Sequence, residues 1–498
     1  MDMATDMATV TMNDSRNVTA GIRAGRVVAA VSGCAMFCAF PVTAWAGDWE
    51  LTDSVTAKTT AIDRNGANES SGLVFEVKPQ IKLKGEGARS KADIDYQLTL
   101  ATGTGDTDPE TMSHRLRAQG EVEAIEDFFF LGANAGARLV GRDATSGPVD
   151  AINARSDGTQ SYSVGLTPRF RHRLNKYADI VSDNEIDYVT YDRNGSEGNT
   201  DDSYSTRLHL GVRSGHAYGP LNWRADASHR TTEYEDSDSE NTTYSVGAGY
   251  RFNVNWEVDG SVGYEENDVD TRRSDTDGVI WDVGATWTPN SRTSMSASYG
   301  QRYFGDTFSG RISHETRRTQ FVVDLSRTVA SRRAFELVNL GLFGLEDAQG
   351  NPIIGADGNQ LSLNLFGIDE TDEEFINTQL RGAMTMKGVR TTVTVTGTVS
   401  KREYEISPIE EDAYGLSVSA RRQLSSNYTA TVNGGFTHAE GSANSDSDTF
   451  DIGMSVSRRL TPRTSASVDV LYRERDASDA DNSYDESRIG ISLKSSFL

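Results

Sequence analysis

Histidine and carboxylate side chains are the groups in this sequence most suited to catalysis or metal binding. The seven histidines are scattered and form no His-Glu-x-x-His, Gly-x-Ser-x-Gly or phosphate-loop motif. The nearest local pairs are His314 with Glu315 and His438 with Glu440. Such pairs are more often ordinary strand or rim residues than catalytic ones. We therefore predict that the protein is not an enzyme and has no catalytic residue, metal site or cofactor, with a hydrolase as the less favoured alternative.

Acidic stretches such as Asp236-Ser237-Asp238 and Asp446-Ser447-Asp448 could bind divalent cations that bridge to lipopolysaccharide phosphates. Their spacing matches no EF-hand loop, so we favour an ordinary solvated surface. Both cysteines, Cys34 and Cys38, lie near the N-terminus. If that segment is removed, the mature chain has no disulfide, thiolate nucleophile or cysteine metal site.

The N-terminal segment has the features of a secretion signal. Arg23 and Arg26 precede an apolar run over residues 27–40, and Ala44-Trp45-Ala46 has the small-residue pattern of a signal-peptidase site. We predict that residues 1–46 are a cleaved signal peptide, and that the residues before Met12 belong to a mis-assigned start. A lipoprotein site at Cys34 is the alternative, but only about five apolar residues precede that cysteine, fewer than a working signal needs.

The whole chain has 36% hydrophobic residues and a mean hydropathy of −0.51, so the part after this segment is too polar for membrane helices. It instead alternates apolar and polar residues with a period of two, which is typical of strands. In residues 73–83, for example, Leu73, Phe75 and Val77 alternate with Glu76 and Lys78. The pattern recurs at 92–100, 116–124, 129–139, 162–174, 206–212, 221–227, 244–252, 256–264, 279–287, 293–303, 391–399, 414–424, 428–436, 450–456, 466–472 and 489–497.

Segments of about ten residues with one apolar and one polar face are the signature of an outer-membrane barrel. Short connections, such as 126–127 and 253–255, alternate with long acidic ones at 233–241, 266–278 and 440–448. We place the short turns in the periplasm and the long loops outside. The last strand ends at Phe497, which predicts recognition by the barrel-insertion machinery.

The predicted fold is all-β, an antiparallel up-and-down transmembrane barrel of about 22 strands, within a range of 20 to 22. Residues 47–498 form the barrel, without an N-terminal plug domain. Counting from the N-terminus leaves the strand ending near Ser326 in the periplasm, whereas counting back from the C-terminus puts Glu373 outside. One additional strand is needed, and residues 334–343 are the best candidate. Residues 344–372 would then be a long loop, either extracellular or folded into the lumen.

The predicted strands carry a resemblance to a known family. The segments are DIDYQLTL at 93–100, SYSVGLTPRFRHRL at 161–174, SHETRRTQFVVDLS at 313–326 and KGVRTTVTVTGTVSKREY at 387–404. In these the chain resembles the PEP-CTERM system-associated outer-membrane β-barrel family, which accompanies exosortase and exopolysaccharide gene clusters. The resemblance implies an outer-membrane protein of Gram-negative bacteria without characterised catalytic residues, linked to polymer export.

The alternation also places a set of basic side chains inside the barrel near the periplasmic strand ends. They are Lys82, Lys84, Arg169, Arg171, Arg173, Arg213, Arg224, Arg251, Arg292, Arg421, Arg459 and Lys494. This basic ring predicts attraction of anionic solutes, although the net charge is −24. Pairing with lumen carboxylates or lipid headgroups is the more favoured interpretation of these charges.

We therefore expect a porin-like pore or conduit, with exopolysaccharide or anionic solutes as candidate cargo. The alternative is a structural barrel with a closed lumen. Outer-membrane lipid, lipopolysaccharide, the insertion machinery, and a polysaccharide or periplasmic export partner are the expected partners, and no nucleic acid is expected.

Overall fold

The computed structural model describes residues 47–67, 69–141, 149–154, 158–192, 202–234, 237–331, 333, 373–441, 445–478 and 482–497. The signal peptide predicted at 1–46, the additional strand predicted at 334–343 and the loop predicted at 344–372 lie outside these residues.

The described chain is almost entirely β-structure, with one turn of 3-10 helix at His216–Tyr218. The strands are β1 (Gly47–Gly66), β2 (Ser70–Gly87), β3 (Ser90–Gly103), β4 (Met112–Ile125), β5 (Phe129–Gly141), β6 (Gly158–Arg173), β7 (Ala178–Asp183), β8 (Glu185–Asp192), β9 (Ser203–Ser214), β10 (Leu221–Glu233), β11 (Asp238–Arg251), β12 (Trp256–Asp268), β13 (Gly278–Asn290), β14 (Thr293–Arg302), β15 (Gly305–Glu315), β16 (Thr319–Ala330), β17 (Phe375–Lys387), β18 (Thr391–Tyr404), β19 (Glu410–Gln423), β20 (Tyr428–Glu440), β21 (Asp446–Arg459), β22 (Thr464–Ala477) and β23 (Tyr484–Ser496).

Apart from β7 and β8, which do not pair with each other, neighbouring strands in the sequence pair antiparallel, and β1 pairs with β23 to close the barrel. β7 and β8 are two parts of one strand interrupted at Asn184, because both pair with β6 on one side and β9 on the other. The barrel therefore has 22 strands, and the predicted number is confirmed. Closure leaves no free edge, so every strand has a partner on both sides.

The strand that the sequence count lacked is β15, not a segment at 334–343. β16 pairs with β17 from Thr319 and Met386 to Ala330 and Phe375, so the barrel has no place for a strand between them. The sequence predicted one strand that ends near Ser326. It is instead a hairpin, in which β15 and β16 are joined by a short turn at 316–318. Ala330 therefore lies at the extracellular end, and no additional strand is needed.

The two faces of the barrel differ sharply. In β2, Leu73, Phe75 and Val77 are 41–45% exposed, whereas the intervening Val74 and Glu76 are 0% and 4% exposed. The apolar residues therefore face outward and the polar set faces the lumen. A closed barrel with an apolar exterior satisfies every backbone group in lipid, and it places this protein in the outer membrane.

The strands extend beyond the membrane on the extracellular side. At about 3.3 Å per residue, the 18 residues of β2 are far longer than an apolar band about 25 Å tall requires. The predicted loops at 233–241 and 440–448 are consequently partly strand. β10 reaches Glu233 and β11 begins at Asp238, while β20 reaches Glu440 and β21 begins at Asp446. None of the helical segments in the described residues is long and apolar enough to cross a membrane.

Candidate functional site: the barrel lumen

A cavity of about 1290 Å³ follows the inner wall along β1 to β10. It begins at the periplasmic ends of β1 and β2, where Asp48, Glu50 and Lys84 line it, and it reaches Arg333 and Glu374 at the extracellular end. Most of its other lining residues are charged, small or hydroxylic. The cavity is therefore lined mainly by polar and small residues along one wall of the lumen.

The structure places the predicted basic ring as follows. Eleven of the twelve residues occupy strand positions that alternate with the outward apolar set, and Arg292 lies in the turn between β13 and β14. Five have carboxylate partners: Lys82 with Asp95 at 2.8 Å, Arg169 with Glu121, Arg173 with Asp179 at 3.7 Å, Arg224 with Asp226 at 3.9 Å and Arg251 with Glu257 at 3.0 Å.

The other seven residues of the ring have no ion pair within the described part of the chain. They are Lys84, Arg171, Arg213, Arg292, Arg421, Arg459 and Lys494. Arg171 lies over the ring of Phe130 at 5.7 Å, and the pair faces the lumen near the periplasmic end of β6. The ring is thus partly neutralised, and its role in attracting anions stays a prediction.

Only Lys84 and Arg169 of the ring line the cavity. Three further arginines, Arg207, Arg230 and Arg333, line its middle and outer parts, where Arg230 pairs with Glu185 at 3.3 Å. The alternation of apolar and polar residues in β9 and β10 also places Arg207 and Arg230 on the inner face. They are not in the predicted ring, because that ring includes only residues near the periplasmic strand ends. No strand pattern marks Arg333, because it follows β16.

Arg333 connects two distant parts of the barrel. Its side chain is 6% exposed, and Nη1 donates to the backbone oxygen of Ser203 at 2.9 Å and to its hydroxyl at 2.8 Å. Burial lowers the pKa of the Arg333 guanidinium, while the charge of Asp187 opposes that shift. Arg333, three residues after the end of β16, therefore contacts the start of β9.

Residues 149–154, between β5 and β6, also contact the inner wall. Ile152 packs on a cluster formed by Ile62, Val74 and Ala101 of β1, β2 and β3. Two residues earlier, Asp150 accepts a hydrogen bond from Nη1 of Arg488 on β23. Residues 149–154 are therefore fixed against the inner wall at the outer end of the barrel.

A third connection crosses the mouth from the opposite side. The loop at 269–277, between β12 and β13, reaches Glu405 just after β18. Glu405 is 4% exposed and accepts from Arg273 Nε at 2.9 Å and from the Thr271 hydroxyl at 2.6 Å. The sequence predicted a long acidic loop at 266–278; in the structure the loop spans 269–277, and a buried carboxylate holds it.

The wall formed by β16 to β18 does not face open water. Val322 and Thr385 are fully buried, and Thr394 is 4% exposed, although all three are on the inner face. The wide lumen expected from the strand number is therefore reduced in this structure, and the polar path follows the wall of β1 to β10.

Comparisons with known proteins were made by sequence and by structure. No family model matches the chain, and no curated protein matches it. Among solved structures, the ferric enterobactin receptor of Pseudomonas aeruginosa is 9% identical, with a TM-score of 0.47, covering 90% of this chain and 80% of that one. The FrpB iron transporter of Neisseria meningitidis is 9% identical, with a TM-score of 0.47, covering 92% and 82%. The ferric-catecholate import receptor Fiu of E. coli is 9% identical, with a TM-score of 0.47, covering 90% and 82%.

The histidines remain poor candidates for catalysis. His438 Nδ1 lies 2.8 Å from Asp448, and its ring stacks on Tyr414 at the outward face above the apolar band. His314 Nδ1 lies 2.8 Å from the hydroxyl of Thr293 near the periplasmic end. Within the described residues, no three His, Cys, Asp or Glu side chains are grouped so that they could hold a metal ion.

Proposed function

We propose that this protein is a gated conduit for hydrophilic solutes across the outer membrane, with exported polysaccharide as the candidate cargo. The observation that carries the proposal is the polar cavity, which extends from the periplasmic ends of β1 and β2 to Arg333 and Glu374. A barrel that served only as a scaffold would gain nothing from a charged path through its interior, because unpaired polar groups are costly when buried.

The periplasmic entrance favours anionic cargo. Lys84, Arg213 and Lys494 face the lumen there without an ion pair in the described structure. Positive charge at a narrow entrance raises the local concentration of anions. A periplasmic export partner that delivers a polymer to this entrance is part of the proposal.

The extracellular end supplies the gate. Its closed state would be stabilised by three contacts from residues outside the strands, Arg333 on Ser203, Asp150 on Arg488 and Arg273 on Glu405. Loops open at lower free energy than barrel strands, which are fixed by continuous ladders of hydrogen bonds. Release of these contacts would connect the cavity to the outside without any change in the barrel.

A structural barrel with a closed lumen is the second candidate. Burial of Val322, Thr385 and Thr394 on the inner face favours it, because that side of the lumen offers no passage. Under this alternative the three crossing contacts would only rigidify the mouth.

Permeation of sugars into proteoliposomes separates the two candidates. We expect slow entry of a neutral trisaccharide through the native barrel and faster entry through the variant D150N/E405Q, which weakens two of the three contacts. The control D106N/E233Q removes two exposed carboxylates instead and should behave like the native protein. Absence of permeation through all three proteins would favour the structural barrel.

A further inference from the structure

Four arginines are concentrated at the outer end of the lumen, on three adjacent strands. Arg64 of β1, Arg473 and Arg475 of β22 and Arg488 of β23 are all on the inner face, and each is 4–7% exposed. Glu486 lies among them. It accepts from Arg64 Nε at 2.9 Å and lies 2.7 Å from Arg488 Nε. We refer to these four arginines and Glu486 as the arginine cluster.

The second carboxylate in contact with this cluster does not come from the barrel wall. Asp150 belongs to the inward loop at 149–154, and its Oδ2 accepts from Arg488 Nη1. Its other oxygen, Oδ1, accepts from the backbone N–H of Ile152 at 2.9 Å, which fixes the local turn. A loop side chain therefore provides a carboxylate to a site whose other parts are on rigid strands.

The electrostatics support an ionised Asp150. Burial alone would raise the pKa of Asp150, but the Arg488 charge and hydrogen bond, together with the Arg473 charge, hold it below the ordinary aspartate value. The site therefore contains a carboxylate anion at neutral pH.

Arg488 also has a donor that the protein does not use. The residue is 5% exposed, and within the described structure its Nη2 has no hydrogen-bond partner. A buried donor without a partner is costly, and an arginine fork binds a planar carboxylate best with two nitrogens. Asp150 uses only one of these nitrogens, so the site could bind a free carboxylate with a better geometry.

We propose that Asp150 occupies a binding site for the carboxylate of an acidic saccharide, and that the loop at 149–154 and the cargo compete for the arginine cluster. When the loop leaves, Arg488 loses a counter-ion in a place where unpaired charge is strongly unfavourable. An external carboxylate restores the balance of charge, and its binding keeps the loop out. The saccharide part of this inference rests on the proposed conduit function.

Calorimetric titration of the purified, detergent-solubilised barrel tests the proposal. The probe is the galacturonic acid trimer, and a neutral galactose trimer is the control ligand. We expect D150N to bind the acidic trimer at least about tenfold more tightly than the native protein, because the internal competitor is gone. D106N, which neutralises an exposed aspartate in the loop between β3 and β4, should bind like the native protein.

The gain in affinity must depend on the cluster. Adding R488Q to D150N should abolish it, and adding R473Q should reduce it, which keeps the test decisive if one double variant fails to fold. Equal affinity of D150N and native protein, a gain that survives both additional substitutions, or equal binding of the neutral trimer would overturn the proposal. Because the titration involves no transport, its failure would leave the permeation result, and with it the conduit function, unaffected.

Discussion

Arg64 on the first strand donates from Nε to Glu486 on the last strand at 2.9 Å, and both side chains are almost fully buried. The two residues face each other directly in the β1–β23 ladder. The seam that closes the barrel is therefore held by an internal ion pair as well as by backbone hydrogen bonds. Chain closure and the packing of the outer lumen depend on the same side chains.

Substitution E486Q should destabilise the barrel by about 3 to 5 kcal/mol, because it leaves Arg64 and Arg488 buried without a full counter-charge. The free energy of unfolding in urea, measured in detergent micelles, gives the effect. D485N is the matched control. It alters an exposed hydrogen bond to Asn65 on the opposite face of the same two strands and should change stability by less than about 0.5 kcal/mol. Equal effects of the two substitutions would contradict the importance of the buried pair.

Glu374 predicts a dependence of stability on pH. Burial raises the pKa of Glu374, and the charge of Glu405 adds to the shift, while the hydrogen bond from Ser239 opposes it. Above the ordinary glutamate value of 4.5, the unfolded chain loses this proton while the folded one retains it. Stability should therefore fall as pH rises from 4.5, since the unfolded state binds fewer protons.

Substitution E374Q should remove that contribution, so the variant gains stability over the native protein as pH rises. Urea unfolding at a series of pH values measures the difference. E233Q, at an exposed position on β10, should run parallel to the native protein. A constant difference between native protein and E374Q at all pH values would show that folding does not raise the pKa of Glu374.

The assignment of faces predicts unequal effects of new charges in β2. Val77→Arg places a cation in the apolar band, where it should cost roughly 2 to 4 kcal/mol, as should Phe75→Arg. Gln80→Arg faces the lumen, where Gln80 already donates to Asp95 at 2.6 Å. The yield of heat-modifiable barrel on SDS gels should fall only for the outward substitutions. Similar yields for Val77→Arg and Gln80→Arg would contradict the assignment of the outward and lumen faces of β2.

The orientation predicts which turns are accessible on intact cells. A peptide tag between Gly441 and Ser445 should be labelled from outside, because the turn joins the extracellular ends of β20 and β21. A tag within 253–255 lies in a short turn between β11 and β12 and should be labelled only after permeabilisation. The reverse labelling pattern would show that the barrel has the opposite orientation in the membrane.

Much of the barrel could be predicted from the sequence. A barrel in lipid needs an apolar outer face, and most strands show this as a local alternation of apolar and polar residues. The faces of β2 and the antiparallel series follow from residues such as Phe75 and Glu76. The hairpin of β15 and β16 was missed for a local reason. The outward positions of β15 include Asp306, Gly310 and His314, which give it a weak apolar face, and its turn to β14 is only two residues long.

The contacts that cross the outer end of the lumen could not be predicted, because they join residues far apart in the chain. Asp150 and Arg488 are 338 positions apart, and Arg333 and Ser203 are 130 apart. No periodicity in the sequence relates such residues. For the predicted basic ring, the alternation of residues correctly places the side chains on the inner face. It does not show which carboxylates on neighbouring strands neutralise them.

Planar-bilayer recording with a salt gradient tests the central claim most directly, because it measures conduction and charge selectivity together. We expect discrete conductance steps with a preference for anions. In the variant R169E/R171E/R173E, the reversal potential should shift in the direction that indicates greater permeability to cations. R317E/R318E/R390E reverses three charges in periplasmic turns outside the lumen and should leave the reversal potential unchanged. An unaltered reversal potential in the first variant would show that the ring is structural, and a barrel that never conducts, even as D150N/E405Q, would contradict the conduit itself.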